Sequence, residues 1–122
     1  MFEKHTCPNQ FYPHIYLAMD NCVFYKRWTE PRQWAEKMTQ LGIRYIEASA
    51  DTELDPLYMG AEYLEDWVKD VKQAECTYNV EVCNLYSGHG TYTTLGLTHT
   101  DARVRERMMT QWLFPMAEIS EK

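Results

Sequence analysis

His89 stands between Gly88 and Gly90, and paired glycines let a backbone turn sharply and let a ligand come close. A neutral imidazole there can hydrogen-bond a substrate hydroxyl, shuttle a proton or ligate a metal, and the plain alternative is a histidine that caps a turn. Ser87, in the same stretch, adds a hydroxyl for substrate. Glu47 follows Ile43 and Tyr45 at intervals of two, so strand alternation puts the three side chains on one face. A carboxylate pointing inward is costly without partners. Glu47 can therefore be an acid, a base or a hydroxyl acceptor, or else a structural group bonded to neighbouring strands. A third cluster joins Asp20 and Asn21 to Phe24, Tyr25 and Trp28. Polar anchors beside flat apolar faces suit a sugar, while aromatics that bury this much area also serve to pack a loop.

No histidines and carboxylates have the short spacing of a self-contained metal site, and no nucleophile elbow is present, so no metal ligand is assigned. His5, His14 and His99 receive no role. Asp51, Glu53 and Asp55 form an acid-rich loop and read as solvated. Asp20, Glu47 and His89 are far apart in sequence and converge only if the fold gathers the loops that carry them.

The elements that would do so alternate. An irregular leader over residues 1–13 gives way to an apolar and aromatic run, His14 to Met19, that stops at Asp20-Asn21 as a strand meeting a loop. Thr29 is an N-cap candidate before Pro31, and Trp34, Met38 and Leu41 then repeat at helical spacing until Gly42. Ile43 to Ala48 is a second strand. Leu64, Trp67, Val68, Val71 and Ala74 mark one face of a longer helix. Val80 to Leu85 is a third strand, and a third helix begins near Asp101 with Val104, Met108, Trp112 and Met116 inward. Pro115 should kink or shorten its last turn.

Strands separated by helices cannot form hairpins, so the fold class is α/β with parallel strands. An open nucleotide-binding sheet would place a glycine-rich turn after its first strand, but Asp20-Asn21-Cys22-Val23-Phe24 has no glycine. A (β/α)₈ barrel is preferred, and such barrels run to about 250 residues. The 122 residues accommodate its first three βα units, over residues 14–122. In either architecture ligands bind at the carboxyl ends of the strands, next to the three clusters.

Composition narrows the partners. With 18 acids against 12 bases, net charge −6, and bases scattered along the chain, nucleic-acid binding is disfavoured. Arg103, Arg105 and Arg107 read as a solvated helix face. No apolar segment is long enough for a membrane helix. Cys7, Cys22, Cys76 and Cys83 form no CxxC pair, and Cys22 and Cys83 read as buried thiols, which fits a reducing, cytoplasmic setting.

Leu41-Gly42-Ile43-Arg44-Tyr45-Ile46-Glu47 resembles the helix-glycine-strand-glutamate signature of the second strand in xylose-isomerase-like barrels. With Asp51 to Gly60 and Asn84 to Leu97, the chain resembles a bacterial sugar phosphate isomerase/epimerase subgroup over residues 14 to 118. The resemblance implies interconversion of ketoses and aldoses, or of epimers, by proton transfer next to a carbonyl with a divalent metal (Mn, Mg, Co or Zn). In that family most metal ligands come from later strands, so these residues are expected to hold no metal and not to catalyse by themselves. Glu47 and His89 carry over as catalytic, substrate-side residues, and Asp20, Asn21, Phe24, Trp28 and Ser87 are expected to bind a sugar or sugar phosphate. A partial barrel leaves strand faces uncovered, which predicts self-association. Two other readings stand beside this one: a non-catalytic carbohydrate-binding or interaction domain of the same fold, and the apurinic-site endonuclease branch, which the acidic balance disfavours.

Overall fold

A computed structural model of the chain describes residues 14–24, 30–88 and 95–122. The leader, Tyr25, Trp28 and His89 lie outside the described residues. Three strands, β1 (Ala18–Asp20), β2 (Tyr45–Ser49) and β3 (Glu81–Tyr86), form one parallel sheet in the order β1-β2-β3. The helices α1 (Pro31–Gln40) and α2 (Pro56–Tyr78) connect them. After β3 the chain runs through α3 (Ala102–Met108), a π-helical stretch (Met109–Leu113) and α4 (Phe114–Ser120). This is the α/β fold expected from the sequence, a three-unit portion of a (β/α)₈-type architecture.

Local chemistry explains the element ends. Pro31 opens α1, where its missing N–H costs nothing, and the capping position is Glu30 rather than Thr29, without a side-chain cap. At the other end Gly42 takes φ 72°. Its N–H reaches the Thr39 carbonyl at 3.0 Å and the Ile43 N–H reaches Met38 at 2.9 Å, the paired bonds of a Schellman turn. Asp55 is no idle loop acid, because its carboxylate accepts from the N–H groups of Leu57 at 2.8 Å and Tyr58 at 3.1 Å and caps α2. Asn79, left-handed at φ 54°, ends that helix.

The first strand is shorter than the apolar run suggested. Ile15, Tyr16 and Leu17 are exposed, and pairing with β2 begins at Ala18. Ile46 and Ala48 of β2 are fully buried, against α1 and α2, whose inward faces present Trp34, Ala35 and Met38 and Leu64, Trp67, Val71 and Ala74. Ile43 precedes the strand and packs on this core, so it does not share a face with Tyr45 and Glu47 as alternation suggested. Met108, Trp112, Met116 and Ile119 extend the same core.

Pro115 does not end the last helix. A proline ring clashes with the carbonyl four residues back. Here the turn before it is widened, with the Phe114 N–H reaching the Met109 carbonyl five residues back, and the helix continues to Ser120.

Candidate functional site

The register of the sheet builds one row. Asp20 of β1 stands opposite Glu47 of β2, and Glu47 stands opposite Asn84 of β3. Paired residues of adjacent parallel strands point to the same side, so these three share the face opposite the helices.

The third member depends on an irregularity. Ile46 pairs with Val82, but Glu47 pairs with Asn84, leaving Cys83 as an extra residue in β3. Without that bulge Cys83 would stand opposite Glu47 and Asn84 would turn toward the helices. With it, the Asn84 amide donates a short hydrogen bond to Glu47 Oε1. Cys83 itself is exposed rather than buried. The spacing of Val82 and Leu85, three apart where a strand's buried residues fall two apart, is the signal for this bulge.

Glu47 is half-buried, and among the described residues its second oxygen accepts no hydrogen bond. Asp20, also half-buried, turns Oδ1 back to accept from the Cys22 N–H at 2.7 Å, which starts the 3₁₀ turn Asn21–Phe24. Burial pushes the neighbouring Cys22 thiol up to about 11, so it stays protonated and is no nucleophile at neutral pH.

Two residues expected to meet a sugar are turned inward instead. Asn21 is 2% exposed; its Nδ2 donates to Glu53 at 2.5 Å and its Oδ1 accepts from the Ser49 N–H at 3.0 Å. Phe24 joins the core, the packing alternative for that aromatic cluster. Ser87 sits half-buried just past β3, where its carbonyl accepts from Trp112 Nε1 at 3.0 Å. Trp28 and His89, both expected to face substrate, lie outside the described residues.

Glu53 is the largest departure from the sequence reading. It is 1% exposed, not solvated, and accepts from Asn21 Nδ2 and from Trp34 Nε1 at 2.7 Å. Nothing adjacent in sequence marks it, since both partners come from other elements.

Behind the row, Gly88 fixes how the β3 exit meets the β2 exit. It has φ 72°, and a Cβ there would lie 2.6 Å from Asp51 Oδ1 and 2.9 Å from the Asp51 backbone nitrogen. The carboxylate can swing aside but the backbone cannot. Gly88→Ala should therefore cost about 1–3 kcal/mol, read as a lower urea midpoint, with the largest amide shifts at Ala50 to Thr52. An unchanged midpoint would show that the two loops do not press together.

Among the described residues no three histidines, cysteines or carboxylates cluster, and in the Asp20–Glu47 pair one oxygen of each acid is already engaged. Nor is any described helix long and apolar enough to cross a membrane.

No protein-family model matches this sequence, and no curated protein matches it. The crystal structure of a putative xylose isomerase from Rhodospirillum rubrum ATCC 11170 does match the structure, with a TM-score of 0.74 at 19% identity. The fold is xylose-isomerase-like. At that identity the likeness is one of fold alone, and it spans 88% of this chain but 36% of the Rhodospirillum protein. The stretch Leu41 to Glu47 forms the C-cap of α1, its Schellman turn and the start of β2, and Glu47 is the middle residue of that strand rather than its end.

Proposed function

We propose that this chain is part of a sugar or sugar-phosphate isomerase or epimerase, and that Glu47 is its acid/base residue in this region. The observation that carries the reading is the row Asp20–Glu47–Asn84 across the sheet face opposite the helices, in a xylose-isomerase-like fold. In this reading Asn84 holds one oxygen of Glu47 and leaves the other to take or return a proton on a carbon beside a carbonyl. Asp20 accepts a substrate hydroxyl. His89, one loop further on, is proposed as the second substrate-side group. A divalent metal, if the reaction uses one, needs ligands beyond the described residues, and no step is assigned to it. The uncovered face of the sheet is proposed to be covered by further strands of the same barrel or by self-association.

The test is a set of substitutions in the reading frame that contains these residues, assayed on a ketose panel. Glu47→Gln should lower kcat by about 10²-fold or more with KM little changed. Asn84→Leu should lower it by about 10-fold, since it removes only the orienting bond. Full activity in Glu47→Gln would refute the assignment of the base.

A further inference from the structure

Glu53 lies on the loop after β2, outside the row of Asp20, Glu47 and Asn84, and several elements converge on its carboxyl. Asn21, just past β1, and Trp34 of α1 both donate to Oε1, at 2.5 and 2.7 Å. Trp67 of α2 faces the carboxyl without completing a hydrogen bond, so Glu53 Oε2 and Trp67 Nε1 are both buried and unpartnered. Asn21 passes the connection on, because its Oδ1 accepts from the Ser49 N–H at 3.0 Å, at the last residue of β2 and two residues beyond Glu47. Asp20 is the residue before Asn21. One buried carboxyl thus joins the ends of the two strands that supply the acids of the candidate site.

We propose that Glu53 is a positioning residue: its carboxyl latches the exit of β1 to the exit of β2 and so sets the spacing of Asp20 and Glu47. Its part in catalysis rests on the isomerase reading; the latch does not.

The latch has a preferred protonation state. In the neutral form Oε1 still accepts from both donors and no charge is buried. The ionised form would leave charge on a buried oxygen without a partner, which is costly. Burial outweighs the opposing pull of the Trp34 and Asn21 hydrogen bonds and of the nearby Trp67 N–H, and pushes Glu53 up to about 8. Asn21, Trp34 and Trp67 do not titrate. Among the described residues, the titratable group coupled to it is Tyr63 of α2, whose phenol is raised first by burial and then by Glu53. The latch is therefore closed at neutral pH and loosens in mild alkali.

Hydrogen exchange at two protons tests this: the Ser49 N–H and the Trp34 indole N–H, compared at about pH 6 and pH 9 in wild type, Glu53→Gln and Glu53→Ala. Protection factors, corrected for intrinsic exchange, should fall in wild type by about 10-fold or more between the two pH values. Glu53→Gln keeps an acceptor at Oε1 without an ionisable proton and should hold its protection across the range. Glu53→Ala should lose it at both. Identical pH profiles in wild type and Glu53→Gln, or full protection in Glu53→Ala, would overturn the proposal. Where Glu53→Ala does not fold, the comparison of wild type with Glu53→Gln decides. No sugar enters the experiment, so failure of the isomerase reading would leave these results unchanged.

Discussion

From about pH 5 to about pH 8.5 the wild-type chain should lose on the order of 3 to 5 kcal/mol of stability relative to Glu53→Gln. Glu53 is raised from 4.5 in an unfolded chain to about 8 in the folded one. Below the lower value both states carry the proton and the folded state bears no penalty. Between the two values the unfolded state gives up its proton while the folded state keeps it, so stability falls as pH rises. Above the folded value both are ionised and the loss levels off. This runs opposite to a salt-bridged acid, whose contribution is lost as pH falls. Urea denaturation of both proteins across the range gives the difference directly. Parallel curves would show that Glu53 is ionised in the folded state at neutral pH.

The second large effect is expected at Trp34. This side chain is wholly buried, packs in the core shared by α1, β2 and α2, and donates one of the two hydrogen bonds to Glu53. Truncation to alanine removes the packing and leaves a cavity, at a cost of about 3–5 kcal/mol. Trp34→Phe keeps most of the packing but loses the indole N–H, and should cost about 1–3 kcal/mol from the hydrogen bond. Equilibrium denaturation near pH 6, where Glu53 is protonated, separates the two. Equal losses in both variants would mean that the indole contributes through its hydrogen bond and not through its packing.

Much of the scaffold was legible because it rests on local rules. Gly42 and Pro31 mark helix ends for steric reasons, and the apolar periodicity of α2 reads directly as its buried face. Strand bounds were less legible, because Ile15 to Leu17 have strand-forming side chains but no partner strand among the described residues. Glu47 was legible as a strand carboxylate, although β2 runs two residues past it to Ser49 and so does not end there. Its partner Asn84 was not, because its orientation depends on the bulge at Cys83. Glu53 was misread for a plain reason: a charge among other charges looks solvated, and the groups that bury it, Asn21, Trp34 and Trp67, lie 32, 19 and 14 residues away. Asp55, two positions on in the same loop, was misread in a milder way, since the N-cap signal before Pro56 was available.

Glu47, in its row with Asp20 and Asn84, is proposed to move a proton in a sugar isomerisation. Solvent deuterium incorporation tests it most directly. The protein encoded by the reading frame containing these residues is incubated in heavy water with a panel of ketoses, with and without manganese, and followed by proton NMR. Isomerisation or epimerisation with label appearing at the carbon next to the carbonyl, abolished in Glu47→Gln, is the expected result. Sugar binding with neither turnover nor label at any metal concentration would contradict it and favour a carbohydrate-binding role for the same fold.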